Sequence, residues 1–173
     1  MPTLIRLQDG VFALAEDPFT AVSDDWAIPR GDVIVSLTRF QAEGDHLLSE
    51  GRSVGVRLES NEEVEALAYD LPRIAVVALA FPKFGDGRAY TSAKLLRERY
   101  DFKAEVRAVG DVLREQVGFM VRVGFDAFEP ADGSTVEDLE RAVHRFRHVY
   151  QRSADHRAPA FAERNGSLAE PEK

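Results

Sequence analysis

The sequence predicts an α/β fold, in which an N-terminal β-hairpin is followed by about five β-α units that form a mainly parallel sheet. Three observations predict it. From residue 33 onward, short apolar stretches alternate with segments of helical periodicity, which is typical of β-α units. The stretch 74–81 is apolar at every position, as expected of a central strand covered on both faces. Near the N terminus, an Asp-Gly turn separates two short apolar runs and indicates a hairpin.

These patterns place the elements along the chain. The hairpin and a loop over 16–32 fall within residues 1–32, and the predicted strands are 33–37, 54–58, 74–81, 104–109 and 125–128. The predicted helices are 38–50, 61–70, 90–100 and 112–123, the second of them opened by a capping box at Ser60. A last helix follows Ser134 and sets Val136, Leu139, Val143, Phe146 and Tyr150 on one face. Residues 1–151 are thus expected to form one domain, and 152–173 a mobile tail.

The curvature of the sheet is left open by the sequence. Arg57 and Arg107 lie inside otherwise apolar strands, where unpaired charge is not expected under helices on both faces. Either the two arginines are paired or reach solvent at strand ends, or this sheet face lines a cavity or an interface. The sheet is therefore either doubly wound or curved like part of a barrel that a partner could complete. Arg107 is a candidate ligand-binding residue.

The composition excludes several classes of function. The chain of 173 residues has no cysteine, which rules out disulfides, thiolate nucleophiles, iron–sulfur clusters and cysteine-based metal sites. Its formal net charge of -8 argues against binding nucleic acid or an anionic membrane. Because no apolar run suits a signal peptide or a membrane span, we expect a cytoplasmic protein. His144 and His148 lack a third ligand at a suitable spacing, so we predict no metal site.

Residues 81–90, FPKFGDGRAY, are the predicted active or binding site. The third β-α unit is about ten residues longer than the others, and the extra length lies just after its strand. Long βα loops are usually functional, and parallel α/β folds bind ligands at the C-terminal ends of strands. Lys83 and Arg88 would hold a small oxyanion or a cofactor phosphate near a helix N-terminus, and Asp86 and Tyr90 would orient it.

A second interpretation makes the same loop an interface. Phe81, Phe84 and Tyr90 would then be partner-docking anchors, and the charged residues would form the rim. Asp111 follows the fourth predicted strand, so it should lie at the same edge of the sheet. There it can cap the next helix and still face a ligand, which makes it a further binding candidate.

Four motifs resemble the bacterial domain of unknown function 934 family. They are FPKFGDGRAY, LLRERY, RAVGDVLR and GFDAF, and they follow one another in this order between residues 81 and 128. Members are commonly described as oxidoreductases involved in sulfite reduction. The resemblance implies an accessory protein or an oxidoreductase of assimilatory sulfite reduction, with sulfite reductase or another sulfur-assimilation enzyme as partner. The alternative is a non-catalytic assembly protein that docks on sulfite reductase. The resemblance assigns no catalytic residues and no cofactor, and the sequence leaves open whether the chain forms a homo-oligomer.

Overall fold

The computed structural model of the chain describes residues 3–164, and its elements confirm the α/β class. The strands are β1 Leu4–Gln8, β2 Val11–Ala15, β3 Phe19–Ala21, β4 Asp32–Ser36, β5 Val54–Leu58, β6 Val76–Phe81, β7 Glu105–Gly110 and β8 Ala127–Phe128. The helices are α1 Leu37–Ser49, α2 Arg88–Glu98, α3 Arg114–Val123, α4 Val136–His144 and α5 Ala160–Arg164. Within residues 3–164, none of the helices combines the length and the apolar character needed to cross a membrane.

All eight strands join one mixed sheet in the order β2-β1-β8-β7-β6-β5-β4-β3. Strands β3 to β8 pair in parallel, whereas β1 pairs antiparallel with both β2 and β8. The predicted hairpin is thus present, and it extends the parallel strands at one edge. The expected loop over 16–32 was wrong in one respect, because it contains the edge strand β3. With only three residues, that strand is too short to show an alternating pattern.

The sheet is curled into a half-barrel. β2 ends at Ala15 and β3 begins at Phe19, although these strands form opposite edges of the sheet. Four residue steps reach at most about 14 Å, whereas the edges of a flat eight-stranded sheet would lie about 33 Å apart. The edges must therefore approach each other. From β3 to β8 the strands also lie side by side in chain order, whereas a doubly wound sheet reverses its order at a switch point.

The two faces of the curled sheet differ in what covers them. The convex face packs under the helices, and every second residue of β6 (Val77, Leu79 and Phe81) belongs to that main core. The concave face carries a smaller apolar cluster made of Phe19, Ile34, Val76, Ala78, Ala80 and Val109. Arg107 lies on this concave face and is only 1% exposed. The curved alternative of the sequence prediction is thus the one observed.

The helix predicted over 61–70 was wrong. The chain instead forms two short 3-10 turns, Val64–Leu67 and Leu71–Arg73. The two capping-box residues do not act as a pair here: the Ser60 hydroxyl accepts a hydrogen bond from Arg88, and Glu63 precedes the first 3-10 turn without a capping hydrogen bond from its side chain. A capping box needs both groups at the helix terminus, so its spacing alone was misleading here.

The last predicted helix, α4, differs from the prediction at both ends. The N-cap of α4 is Thr135, whose side chain exchanges hydrogen bonds with Asp138. This helix ends at His144, so the two aromatic residues predicted at the end of its apolar face, Phe146 and Tyr150, are exposed. Beyond them, residues 152–164 fold back against α3, where Asp155 pairs with Arg122 at 2.9 Å. The rest of the predicted tail, 165–173, lies outside the described residues.

Candidate functional site

The 81–90 loop lies at the C-terminal edge of the parallel strands. It leaves β6 after Phe81 and enters α2 at Arg88. β6 pairs in parallel with β5 on one side and with β7 on the other. The segments that follow those two strands therefore flank the loop, and they supply Ser60 from one side and Asp111 from the other.

Both backbone polar groups of Phe84 are fixed by side chains. Its N–H donates to Asp111 Oδ2 at 2.7 Å, and its carbonyl accepts from Gln116 Nε2 at 3.3 Å. The ring is left pointing outward and is 54% exposed. Asp111 is brought to this position by Gly110, which has φ 91° and lies against the Phe81 carbonyl. The N-cap of α3 is Leu113 rather than the predicted Asp111, because the Asp111 carboxylate binds the loop instead.

Asp86 and Arg88 form a clip at the start of α2. The guanidinium donates to both carboxylate oxygens, from Nε at 3.0 Å and from Nη2 at 2.6 Å, and the Arg88 N–H donates to Oδ1 at 3.3 Å. The same Nη2 also reaches the Ser60 hydroxyl at 2.9 Å. Hydrogen bonds from Arg88 and then Ser60 hold the pKa of Asp86 well below its usual range. An ionised side chain of the protein itself thus occupies the N-terminus of α2, where an anion was expected.

The aromatic residues of the loop differ in accessibility. Phe81 is fully buried, with Tyr90 and Phe125 rings at 5.2 and 5.8 Å, so its side chain is out of reach of a partner. Tyr90 is half-buried and meets the Phe119 ring edge-on at 5.0 Å. Burial raises the pKa of Tyr90, and a hydrogen bond with Gln116 offsets part of this effect. Phe84 is therefore the aromatic residue that the loop presents to solvent.

Lys83 lies next to Phe84 at the surface. Its ammonium group forms no ion pair or hydrogen bond with the side chains and backbone of residues 3–164. The predicted binding residues Lys83, Asp86, Arg88, Tyr90 and Asp111 thus come together on this loop and its rim, but only Lys83 offers an uncommitted charge.

Arg107 belongs to a different place, the concave face of the sheet. Its guanidinium is bound by three carboxylates, from Asp17 at 2.6 and 3.0 Å, from Glu105 at 2.7 Å and from Glu129 at 3.0 Å. Arg6 pairs with the other oxygen of Glu105 at 2.7 Å. The buried charge is thus paired, which is what its burial requires.

The carboxylates around Arg107 respond differently to this environment. Burial raises the pKa of Glu129, and the bond from Arg107 offsets only part of that rise. Burial also raises the pKa of Asp17, but hydrogen bonds from Arg107 and from the Phe19 N–H outweigh it and leave this pKa lowered. Sequence reasoning missed Asp17, because it lies between Glu16 and Pro18 in a segment without periodicity.

Neither the 81–90 loop nor the surroundings of Arg107 have side chains arranged as in a metal site. Among the described residues, no group of three or more histidine and carboxylate side chains is arranged to hold a metal ion. The carboxylates on the concave face surround a guanidinium, which already serves as their cation.

Comparisons with known proteins place the chain in one family. No curated protein matches it. A family model described as "Bacterial protein of unknown function (DUF934)" matches residues 55–161, from within β5 to within α5. The matched span contains the 81–90 loop with its flanking Asp111, and it also contains Arg107. Because this span is more than half of the 173 residues, the chain belongs to the DUF934 family of bacterial proteins of unknown function.

Proposed function

We propose that this protein is a non-catalytic accessory protein of assimilatory sulfite reduction, which docks on a partner enzyme, sulfite reductase or another sulfur-assimilation enzyme, through its 81–90 loop. The observation that carries the proposal is the way in which the loop holds Phe84. An exposed aromatic ring stands on a backbone that Asp111 and Gln116 fix from two sides.

A fixed aromatic ring suits a docking contact for an energetic reason. Aromatic residues are frequent anchors of protein interfaces, and binding is weaker when a flexible loop must first be ordered. Here the loop is ordered in advance, since hydrogen bonds hold Phe84 and the Asp86–Arg88 clip joins it to Ser60. The neighbouring Lys83 ammonium is available for a carboxylate at the rim of such an interface.

The sulfur context of the proposal rests on the resemblance of four motifs, FPKFGDGRAY, LLRERY, RAVGDVLR and GFDAF, to the family described above. Three of these motifs contribute to the loop and its supports. The first is the loop, the third contains Asp111, and the fourth contains Phe125, which packs on Phe81. The resemblance thus concerns the same surface that the docking proposal uses.

A second candidate is an oxidoreductase or anion-binding role, in which the loop holds an oxyanion or a cofactor phosphate. The observation in its favour is Lys83, whose charge is uncommitted, beside the exposed backbone of Gly85. The Asp86 carboxylate weighs against it, because it would have to leave the N-terminus of α2 before another anion could bind there. Calorimetry with sulfite and with inorganic phosphate tests this candidate, and loss of binding in Lys83→Ala would support it.

The docking proposal is tested by a deletion strain grown on sulfate, sulfite, sulfide or cysteine as sole sulfur source. We expect growth on sulfide and cysteine only, and restoration by the wild-type gene. Phe84→Ala should fail to restore growth and should not retain sulfite reductase or another sulfur-assimilation enzyme in a pull-down. Phe161→Ala removes a similarly exposed ring from α5 and is the matched control. Normal growth of the deletion strain on sulfate would refute the sulfur role, and equal behaviour of the two variants would refute docking through Phe84.

A further inference from the structure

We propose that the cleft between α3, α4 and the segment 145–157 binds an anionic aromatic ligand of mononucleotide size. The cleft has a volume of about 700 Å³. Cavities that hold small ligands in proteins typically measure roughly 300–1,000 Å³. The residues that line the cleft lie outside the 81–90 loop, and one of them, Phe119, borders that loop by its contact with Tyr90 at 5.0 Å.

The walls of the cleft are held in place by contacts at both ends. α3 and α4 approach closely where Gly118 faces the Ala142 carbonyl, since a Cβ at position 118 would lie 2.9 Å from that oxygen. The segment 145–157 returns to α3 at Arg122, which pairs with Asp155 at 2.9 Å. The Asp155 N–H also donates to the Arg122 carbonyl at 3.2 Å. The cleft is therefore formed by the fold itself and needs no closing movement.

Three aromatic rings line the cleft and remain open to solvent. They belong to Phe119 on α3 and to Phe146 and Tyr150 on the segment 145–157, and the last two are 68% and 83% exposed. A group of exposed rings around one cavity is uncommon on a monomeric surface and is typical of a binding site. Planar aromatic ligands bind such rings by stacking.

The charge of the cleft is opposite to that of the whole chain. Five arginines but only three carboxylates line it, whereas the chain carries -8. The carboxylates engage Arg122 at 2.9 Å and Arg141 at 2.7 Å, but they lie 3.9 Å or more from Arg114. Arg145 and Arg157 form no ion pair with any residue in the range 3–164, and Arg145 instead stacks on Phe146 at 5.5 Å.

The exposed aromatic rings and the excess of arginines over carboxylates together indicate the class of ligand. A guanidinium binds phosphate or carboxylate oxygens with paired N–H donors, and it is desolvated more easily than an ammonium group. An inorganic anion would leave the aromatic rings uncovered. A neutral aromatic compound would leave Arg145 and Arg157 without an anionic partner, since within residues 3–164 the Arg157 guanidinium donates only to the Arg147 carbonyl, at 2.8 Å. A ligand that carries a ring system and a phosphate matches both, and a mononucleotide fits the available volume.

Calorimetric titration of the full-length protein with five probes tests the inference. AMP and FMN carry a ring and a phosphate, adenosine and riboflavin lack the phosphate, and inorganic phosphate lacks the ring. We expect AMP or FMN to bind at least about tenfold more tightly than its unphosphorylated form and than inorganic phosphate. The inference is overturned if neither nucleotide binds with a Kd below about 1 mM, or if inorganic phosphate binds as tightly.

Variants then locate the binding. Tyr150→Ala should weaken nucleotide binding about tenfold through lost stacking, and Arg145→Ala should do so through the lost anion contact. Both side chains are exposed, so their removal should leave the fold intact. Tyr69→Ala, at a ring that is 98% exposed outside the cleft, and Arg147→Ala, two positions from Arg145, are the matched controls. Equal weakening in a variant and its control would place the binding elsewhere and overturn the assignment.

Discussion

Asp17 and Arg107 are 90 positions apart in the sequence and form a bidentate ion pair on the concave face of the sheet. The two N–H···O contacts measure 2.6 and 3.0 Å. Asp17 lies on the short connection between the two edge strands, and Arg107 lies on β7, near the middle of the sheet. The pair therefore ties the connection to the sheet across its curvature, and it has a direct consequence for stability.

Replacing Arg107 by methionine should strongly destabilise the fold. The substitution roughly keeps the unbranched apolar stem of the side chain but leaves the carboxylates of Asp17, Glu105 and Glu129 without their shared cation. Breaking a buried charge pair in this way costs about 3–5 kcal/mol. Urea denaturation monitored by circular dichroism measures the free energy of unfolding.

The control for this prediction is Arg57→Met. Arg57 also lies inside a strand, but its side chain is half-exposed and pairs with Glu59 at 2.8 Å. A surface ion pair contributes less than about 1 kcal/mol, so the control should unfold close to the wild type. If both variants lose the same stability, the buried ion pairs of Arg107 contribute no more to the stability of the fold than the surface ion pair of Arg57.

Glu129 and Asp17 should give opposite pH dependences, although both contact Arg107. Burial raises the pKa of Glu129 above its usual value of 4.5, so the folded protein holds this proton more tightly than the unfolded chain. Stability should therefore fall as the pH rises from 4.5 through the folded pKa of Glu129. For Asp17, the folded pKa lies below 3.8, since the bonds from Arg107 and Phe19 outweigh burial. Its contribution is present above pH 3.8 and is lost as the pH falls through the folded pKa.

Substitution by the matching amides separates the two effects. Glu129→Gln should flatten the decline of stability above pH 4.5, and Asp17→Asn should flatten the decline below pH 3.8. Free energies of unfolding from urea titrations at several pH values measure both slopes. A slope above pH 4.5 that is unchanged by Glu129→Gln would contradict the raised pKa.

The sequence predicted the strands well because their signals are local. Apolar runs at 54–58 and 74–81 correspond to β5 and β6, and the expected loop follows β6 as predicted. The curl of the sheet depends instead on the connection from Ala15 to Phe19, which joins opposite edges. Pairing between distant strands leaves no periodic pattern in the sequence, so the curvature could only be kept as an alternative.

Polar residues of the site were harder to assign for a related reason. Ser60 and Asp111 have the residue types and spacing of helix caps, but each accepts its hydrogen bond from the 81–90 loop or its helix. A cap and a loop support use the same oxygen atoms, and only the fold decides which donor approaches. Arg107 was recognised as unusual because it interrupts an apolar strand, whereas nothing local marks its partner Asp17.

Gly110→Ala should destabilise the protein and disturb the 81–90 loop. Gly110 has φ 91°, which is unfavourable for residues with a side chain, and a Cβ there would lie 2.5 Å from the Phe81 carbonyl oxygen. We expect a loss of at least about 2 kcal/mol in the free energy of unfolding, measured by urea denaturation.

Gly85→Ala provides the control on the same loop. A Cβ at Gly85 would meet no atom within 4 Å, so this variant should unfold within about 0.5 kcal/mol of the wild type. A similar loss in both variants would mean that the loop is sensitive to any added methyl group, and that the contact between Gly110 and Phe81 is not the cause.

Asp111→Ala should loosen the 81–90 loop without removing any exposed group from it. The substitution takes away the acceptor of the Phe84 N–H, and a hydrogen bond to a charged group contributes about 1.5–3 kcal/mol. The Phe84 amide should therefore exchange with solvent at least about tenfold faster, as measured by hydrogen exchange. Asp25→Ala changes an exposed carboxylate far from the loop in sequence and should leave this rate unchanged.

The same variant tests whether docking requires an ordered 81–90 loop or only the exposed ring of Phe84. If docking depends on the fixed position of Phe84, Asp111→Ala should weaken partner retention although the Phe84 ring is still present. Because Gln116 still binds the Phe84 carbonyl, the loss should be smaller than in Phe84→Ala. Partner retention equal to wild type, together with faster exchange of the Phe84 amide, would show that docking does not depend on the order of the loop.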